Sequence, residues 1–224
     1  SHITALIENK SLFKCIYACD VARANAKVFS ELVSDSGAHK PIAINDYKRV
    51  LKNNEIEAVI VATESGTHYQ IAKDALNTGK HVLVEKPLAL SSEHMNQLLR
   101  VASQQSLKLA VCHQNRFNPP VQELRRKIDG GGFGKVLYGT VQIRWSRDRA
   151  YYSQAPWRGT WKMDGGALMN QAIHGIDLLQ WMLGGDVDEV YGIVSNMKHS
   201  YIEAEDFGGA ILKFKSGVIG IVEA

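Results

Sequence analysis

Two short polar segments hold the side chains best suited to chemistry. Glu85-Lys86-Pro87 directly follows the mostly apolar run 81–84, which is typical of a buried strand that the proline ends. Asn170, His174 and Asp177 are spaced to share one face of a helix. A lysine can hold a developing alkoxide, and a neutral imidazole can accept a proton near pH 7. Together these groups favour the oxidation of a secondary alcohol.

Each segment also has a plainer interpretation. Glu85 and Lys86, taken alone, are equally well explained as an ion pair on a surface loop. A lone His174 would more often be a capped core histidine. An Asn-His-Asp stripe on an otherwise apolar helix is costly to bury without a purpose, which favours the functional interpretation. Lys86 would also lie at the carboxyl end of a strand, where open α/β sheets bind ligands.

The first half of the chain alternates strand and helix patterns, which predicts a parallel sheet covered by helices on both faces. Strand 57–63, rich in branched residues, is expected to be central and buried on both faces. Asp46 and either Ser91 or Ser92 are expected to cap helices. The predicted strands are 13–19, 57–63, 81–85 and 107–112, and the predicted helices are 21–33, 46–51, 68–77 and 91–103.

After Pro119-Pro120 the pattern changes to consecutive strands around one long helix. This indicates a separate α+β domain with a mainly antiparallel sheet. Its predicted helices end near 128 and span 166–183, and its predicted strands are 136–145, 187–197, 207–214 and 218–223. The domains are therefore expected to be 1–115 and 116–224.

These segments resemble the Gfo/Idh/MocA family of nicotinamide-dependent sugar oxidoreductases, over essentially the whole chain. A strand ending in Glu-Lys-Pro before a domain with an Asn/Asp-x-x-x-His helix is a fairly specific combination. Segments 144–152, 157–161 and 163–166 narrow the resemblance to a branch that oxidises the 3-hydroxyl of UDP-N-acetylglucosaminuronic acid. The resemblance implies an α/β Rossmann-like first domain that binds NAD and a second domain that binds a nucleotide sugar.

The resemblance also implies roles for residues at the strand ends of the first domain. Lys86 would contact the reacting hydroxyl, and Glu85 would position the cofactor and the lysine, with a cis peptide before Pro87. The turn 63–68 would line the cofactor through Thr63, Ser65 and His68, with Glu64 where the family usually has a proline. A helix-capping turn with Thr67 as the N-cap is the alternative, and both can hold together.

Asp20 follows a predicted strand and opens a helix, the position at which a carboxylate hydrogen-bonds the adenosine ribose. The carboxylate would repel a 2′-phosphate, so NAD is favoured over NADP, although Arg23 could pair with a phosphate. A simple helix N-cap is the alternative explanation of Asp20.

The substrate side is predicted from a basic and aromatic stretch, 144–158. Arginine forks suit carboxylates and diphosphates, and aromatic rings stack on sugars or bases. We predict that Arg147, Tyr152 and Arg158 contact substrate or nicotinamide, although single members of such a stretch can be a solvated edge. Arg116, at the domain crossover where the family places a binding arginine, is a further candidate.

The same resemblance assigns catalysis to Lys86 and His174, both of which would also contact the substrate, as would Asn170. Many relatives carry Asp at the Asn170 position. Because asparagine has no charge, His174 is expected to be less basic here.

Composition limits the alternatives. The chain has 224 residues, 45% of them hydrophobic, and its net charge of +3 is spread without a basic block, so nucleic-acid binding has no electrostatic support. The apolar runs are far too short for a membrane span, and no leader sequence is recognisable. Cys15, Cys19 and Cys112 form no disulfide framework and are expected to be buried thiols in a reducing cytoplasm. We predict no metal site.

Both ends of the chain look incomplete. Residues 1–6 read as the helix that follows a glycine-rich phosphate-binding turn, so the first strand and that turn are expected to be missing. A dehydrogenase or epimerase of a free sugar or inositol remains an alternative function, as does a non-catalytic NAD- or sugar-binding protein or inactive fragment. A homo-oligomer, dimer or tetramer, is expected because one face of the second sheet needs cover.

Overall fold

The computed structural model describes residues 2–224. The strands of the first domain are parallel, as predicted, but there are five short ones in two sheets, and the strand Ile42–Ile44 was not predicted. β1 (Tyr17–Cys19) pairs with β2 (Ile42–Ile44). β3 (Ala58–Val61), β4 (His81–Val84) and β5 (Leu109–Val111) form the second sheet in that order. Because the strands are parallel, their carboxyl ends share one edge, where Glu85 and Lys86 follow β4.

Five α-helices accompany these strands: α1 (His2–Glu8), α2 (Arg23–Asp35), α3 (Tyr47–Leu51), α4 (His68–Asn77) and α5 (Ser92–Gln104). The predicted caps are confirmed for α3 and α5, where Asp46 accepts from the Lys48 amide at 2.9 Å and Ser91 from the His94 amide at 3.2 Å. Leu76 and Leu98, both fully buried, pack α4 and α5 into one core with the second sheet.

Two predictions about burial in the first domain are wrong. β3 is shorter than the predicted strand 57–63, and Ile60 is 41% exposed, because β3 pairs only with β4 within residues 2–224 and its other edge is open. The cysteines are not buried thiols. β1 begins only at Tyr17, and its buried residue is Ala18. Cys19 is exposed, and Cys15 and Cys112 are half-buried.

In the second domain, a mixed, mainly antiparallel sheet packs against one helix, as predicted. Its helices are α6 (Pro119–Asp129), α7 (Arg149–Ser153) and α8 (Ile173–Leu183), the last preceded by a π-helical turn (Ala167–Ala172). Its strands are β6 (Tyr138–Gln142), β7 (Val187–Ser195), β8 (Phe207–Phe214) and β9 (Ile219–Glu223), in the spatial order β6-β9-β8-β7, and β6 runs parallel to β9.

The inner face of this sheet forms the second core. Leu179 of α8 packs with Leu212, Phe214 and Val222 of the two central strands. The opposite face of the sheet is exposed and apolar. Tyr191 pairs with Ile211 and Ile211 with Ile221 in neighbouring strands, and all three side chains are exposed. No helix within residues 2–224 is long and apolar enough to cross a bilayer.

The predicted domain boundary between 115 and 116 falls inside a short 3-10 helix, Gln114–Phe117. The predicted helix 166–183 is not regular throughout. Glu205 captures its first amides, because the Ala167 amide donates to the Glu205 carbonyl and the Leu168 amide to Glu205 Oε1, both at 3.0 Å. The helix therefore opens with the wider π turn before α8 begins.

Candidate active site

Lys86 reaches from the first domain to the second. The Lys86–Pro87 peptide is cis, as predicted. The Lys86 Nζ donates a hydrogen bond to the main-chain carbonyl of Asn170 at 2.7 Å. Burial lowers the pKa of Lys86 below its usual range, against the opposing charges of Glu85 and Asp164, and the nearby Arg147 guanidinium lowers it further. Part of the lysine is therefore desolvated at the domain boundary.

His174 lies one helical turn beyond Asn170, within electrostatic reach of the same lysine. Burial lowers the pKa of His174, and the charges of Lys86 and His113 lower it further, while Glu85 and Asp177 act in the opposite direction. Its Nδ1 is buried and has no hydrogen-bond partner within residues 2–224. The structure thus brings together the ammonium and the imidazole that the two sequence motifs predicted.

Arg116 forms an ion pair with Asp177 and does not face a cavity. Its guanidinium donates two hydrogen bonds to the Asp177 carboxylate, Nε to Oδ2 at 2.8 Å and NH2 to Oδ1 at 2.5 Å. It also stacks over the Trp181 ring, 5.3 Å from the centroid. His113 Nδ1 lies 3.6 Å from Asp177 Oδ2. Asp177 is thereby fixed on the face of α8 that also carries His174.

Asn170 is held by a carboxylate that the sequence analysis did not single out. Its side-chain amide donates to Asp164 Oδ1, and Asp164 Oδ2 accepts from the Gly159 amide at 2.7 Å. Asp164 is 2% exposed. Its signal in the sequence is modest: it is the acidic residue directly before Gly165-Gly166, where the helix bearing Asn170 starts.

Arg147 and Arg158 both stack on Tyr151, a residue that the sequence analysis passed over in favour of its neighbour. Their guanidinium carbons lie 4.8 Å and 4.3 Å from the ring centroid. Arg147 also donates to Gln171 Oε1 at 3.0 Å. The Nε atoms of both arginines are buried without an acceptor in residues 2–224, so each guanidinium has hydrogen-bonding capacity left for an anion.

Tyr152 packs edge-on against Tyr151, with the ring centroids 5.2 Å apart. Burial first, and then Tyr151 and Asp164, raise the pKa of Tyr152 to about 12, so its hydroxyl stays protonated. A cavity of about 270 Å³ opens beside this cluster. Of the residues predicted to contact the substrate, Arg147, Tyr152 and Asn170 line it. The others, Arg116, Arg158, Lys86 and His174, do not. Asn170 connects the cavity to the Lys86 contact.

The turn after β3 is built around His68. This ring is 1% exposed, with Nδ1 2.7 Å from the Pro87 carbonyl and Nε2 3.0 Å from the Thr63 carbonyl. It therefore ties the turn to the segment that follows Lys86. Thr67 is the N-cap residue of α4, as the alternative interpretation expected, but its hydroxyl donates to the Glu64 carbonyl and not to the first amides of the helix. Thr63 stays exposed, and Ser65 opens a 3-10 turn.

Asp20 lies at the carboxyl end of β1 and is half-buried. Its carboxylate accepts from the Ala22 amide at 2.8 Å and from the Asn25 side chain at 3.3 Å. The N-cap position of α2 is occupied by Ala22, so the alternative explanation of Asp20 as a simple N-cap is wrong.

Glu85 accepts a hydrogen bond from His2 Nε2 at 2.7 Å, if the ring carries its proton there, and another from the Lys86 amide at 3.3 Å. Burial, followed by Glu85, raises the pKa of the Cys112 thiol to about 11. The donor atoms of His2, Glu85 and Cys112 lie within 4.8 Å of one another, a group that the sequence analysis did not foresee. The hydrogen bonds to Glu85 account for this cluster without a metal.

A parallel Rossmann-like sheet with charged residues at its carboxyl edge, joined to an α+β domain that presents a histidine helix, defines the class of two-domain proteins with a dinucleotide-binding type of fold. Residues 1–113 match "Oxidoreductase family, NAD-binding Rossmann fold", and residues 121–224 match "GFO/IDH/MocA C-terminal domain". The chain belongs to the Gfo/Idh/MocA family of oxidoreductases.

Solved structures agree with this assignment. The WlbA dehydrogenase from Bordetella pertussis, in complex with NADH and UDP-GlcNAcA, is 34% identical with a TM-score of 0.88, over 100% of this chain and 67% of that one. WlbA from Chromobacterium violaceum, with the same two ligands, is also 34% identical with a TM-score of 0.88, over 99% of this chain and 62% of that one.

Among curated proteins, the scyllo-inositol 2-dehydrogenase (NAD(+)) of Bacillus subtilis is 30% identical over 182 residues, 80% of this chain and 51% of that protein. The chain spans about half the length of the curated relatives it matches.

The residues at the sheet edge fit part of a dinucleotide. A half-buried carboxylate at Asp20, an exposed hydroxyl at Thr63 and the Glu85-Lys86 pair stand at successive strand ends, suited to the ribose and nicotinamide portions. The pyrophosphate needs a glycine-rich turn between a strand and a helix, and residues 2–224 contain none.

Proposed function

We propose that the complete protein is an NAD-dependent dehydrogenase that oxidises a sugar secondary hydroxyl, specifically the 3-hydroxyl of a UDP-N-acetylhexosaminuronic acid, in amino-sugar synthesis for surface polysaccharide. The observation that carries the proposal is the hydrogen bond from Lys86 Nζ to the Asn170 carbonyl. It sets the ammonium of one domain beside the helix that bears His174 in the other. The two WlbA structures, both described with UDP-GlcNAcA, support the choice of substrate.

Oxidation of an alcohol removes a hydride from carbon and a proton from oxygen, and a carbonyl results. A bound NAD would supply the acceptor for the hydride. His174 takes the hydroxyl proton, because its lowered pKa keeps the imidazole neutral at pH 7. The Lys86 ammonium stabilises the negative charge that develops on the oxygen. Asp20, Thr63, Ser65 and Glu85 hold the cofactor, while His68 positions the turn that carries two of them.

The substrate is bound through the arginine and tyrosine cluster. Arg147 and Arg158 have unused buried Nε donors, which suit the carboxylate of a sugar acid or a diphosphate. Tyr152 and Asn170 line the adjoining cavity of about 270 Å³. Arg116 acts by fixing Asp177, since that carboxylate occupies its guanidinium.

The proposal is tested by steady-state kinetics of the complete protein with NAD and a UDP-N-acetylhexosaminuronic acid. Lys86→Ala and His174→Ala should each lower kcat by about two decades or more, because each removes a group acting on the reacting hydroxyl. Lys135→Ala and His39→Ala, both at exposed positions, serve as matched controls and should leave kcat unchanged. Near-normal turnover in both active-site variants would refute the mechanism.

A free sugar or inositol is the second candidate substrate, favoured by the inositol dehydrogenases among the curated relatives. Activity that disappears when UDP is removed from the substrate supports the nucleotide sugar. Activity on free inositol or sugar at similar kcat/KM supports the second candidate. NAD binding by calorimetry without turnover on either class would leave a non-catalytic binding protein as the better account.

The open face of the second sheet supports a homo-oligomer, dimer or tetramer. Tyr191, Ile211 and Ile221 form an exposed apolar row across three strands. Ile211→Glu should lower the molar mass measured by light scattering. A monomeric mass for the unsubstituted protein would exclude this role of the sheet face.

The free cysteines favour a reducing compartment, so we propose that the protein is cytoplasmic.

A further inference from the structure

The buried carboxylate of Asp164 has no role in the mechanism above. A single residue, Asn170, links it to Lys86. Asp164 Oδ1 accepts from the side-chain amide of Asn170, and the main-chain carbonyl of the same Asn170 accepts from Lys86 Nζ. One asparagine thus joins an anionic side chain of the second domain to a cationic side chain of the first.

The loop that carries Asp164 is shaped to hold the carboxylate in this place. The Gly159 amide donates to its other oxygen at 2.7 Å. Gly159 has a φ of +71°, and a Cβ there would lie 2.7 Å from the Ile202 side chain. Only glycine suits both that conformation and that approach. The carboxylate is therefore held by the main chain on one side and by Asn170 on the other.

Charge balance gives this arrangement a purpose. A half-buried ammonium loses hydration and needs compensating negative charge. The charged groups facing Lys86 are Glu85 and Asp164, which favour the ammonium, and Arg147, which opposes it; the titratable His174 lies nearby. Glu85 belongs to the cofactor side and already pairs with His2. Asp164 is the carboxylate of the second domain, within the described residues, whose field favours the ammonium.

We infer that Asp164 is a positioning residue for Lys86: it fixes Asn170 so that the Asn170 carbonyl receives the ammonium, and it supplies the compensating charge on the substrate side. The inference rests on the proposed function for the importance of Lys86. The electrostatic link itself is measurable without turnover.

The test is the apparent pKa of Lys86, obtained from the pH dependence of its acetylation by acetic anhydride and read by peptide mass spectrometry. Asp164→Asn keeps the shape and removes the charge, so the pKa should fall by about one unit, a tenfold change in the protonation constant. Adding Asn170→Asp to that variant returns the charge to the side chain in contact with residue 164. In the doubly substituted protein, the pKa of Lys86 should return most of the way to its value in the unsubstituted protein.

Asp206→Asn is the matched control. Asp206 lines the same cavity and accepts from the amides of Met197, Lys198 and His199, but it does not act on Lys86. Its loss should leave the Lys86 pKa in place. An Asp164→Asn variant with an unshifted Lys86 pKa, or a shift equal to that of the control, overturns the inference. If Asp164→Asn alone fails to fold, a lowered Lys86 pKa in the doubly substituted protein overturns it as well.

Kinetics separate this inference from the proposed function. In an active enzyme, the alkaline limb of kcat/KM should move to lower pH in Asp164→Asn, because Lys86 loses its proton earlier. The acid limb should stay, since Asp164 does not act on His174. A protein with the labelling shift but no dehydrogenase activity would retain the Asp164–Lys86 link and refute the proposed function instead.

Discussion

The imidazole rings of His113 and His174 meet edge to face, with centroids 6.4 Å apart and planes at 88°. Asp177 acts on both rings and raises the pKa of each. Burial is the larger effect and lowers both pKa values below their usual range. Two adjacent neutral rings are therefore stable at pH 7, which is the state that the proposed role of His174 as proton acceptor requires.

The first prediction concerns the acid limb of kcat/KM. His174 must be unprotonated to act as the base, so activity should fall only below about pH 6.5, the ordinary histidine value. Asp177→Asn removes a charge that raises the pKa of His174, so the limb should move further toward acid, by about half a unit to one unit. A pH series from 5 to 9 measures this. A limb above pH 6.5, or a movement toward alkaline pH, contradicts the assignment of His174.

The second prediction concerns cofactor choice. Asp20→Asn keeps an oxygen that can accept from the Ala22 amide but removes the charge that would repel a 2′-phosphate. The ratio of kcat/KM for NAD to that for NADP should fall by about tenfold, corresponding to ~1.4 kcal/mol. Because the local hydrogen bond survives, the thermal stability should change little.

Arg23→Gln is the matched substitution, since this residue could pair with the same phosphate. It should act in the opposite direction and lower the activity with NADP. An unchanged cofactor ratio in both variants would remove Asp20 from the ribose site.

Lys86 and His174 could be predicted as a catalytic pair because each carries a local signal. Lys86 follows a strand that Pro87 ends, and His174 shares a helical stripe with Asn170 and Asp177. Partners distant in sequence carry no such signal. Arg116 and Asp177 are 61 residues apart, so periodicity could not show that the carboxylate occupies the arginine. Asp164 was missed for a related reason. Its contact with Asn170 forms only when the fold brings the loop that carries Asp164 against that residue.

The parallel and the mainly antiparallel character of the two sheets followed from alternation of patterns, while burial did not. Strand 57–63 reads as central because it is rich in branched residues, but burial depends on what lies beside β3, and nothing in residues 2–224 pairs with its second edge. The π turn escaped prediction because Glu205, far along the chain, captures the first amides of that helix. Periodicity describes one element, whereas these features depend on two.

The third prediction is a coupling energy between Arg116 and Asp177. The Asp177 side chain is only 10% exposed and accepts two hydrogen bonds from the guanidinium. Arg116→Ala leaves that carboxylate largely buried and unpaired, which should lower the free energy of unfolding by about 3 kcal/mol. In a urea double-mutant cycle with Asp177→Ala, the coupling should be about 1–3 kcal/mol.

Arg126 and Glu123 provide the comparison, because they form a similar two-pronged pair on the surface of α6. Exposed pairs contribute little, so their coupling should be much smaller than that of Arg116 with Asp177. Equal coupling in the two cycles, or a large rise in the substrate KM of Arg116→Ala without loss of stability, would return Arg116 to the substrate site.

The fourth prediction concerns the contact between the two domains at Gly66. Its amide donates to the Met163 carbonyl at 3.0 Å, and a Cβ at this position would lie 2.9 Å from both the Lys162 carbonyl oxygen and the Met163 Cα. Main-chain atoms cannot move aside as a flexible side chain would. Gly66→Ala should therefore separate the cofactor turn from the loop before Asp164 and lower the free energy of unfolding by about 1–3 kcal/mol.

Gly209→Ala in β8 is the control, since a Cβ there meets its neighbours only at 3.8 Å or beyond. It should change the free energy of unfolding by less than about 0.5 kcal/mol. Because Gly66 belongs to the turn that we propose lines the cofactor, Gly66→Ala should also raise the KM for NAD, whereas Gly209→Ala should not. Equal stability of the two variants in urea, with equal KM values for NAD, would show that the domains do not depend on this close approach.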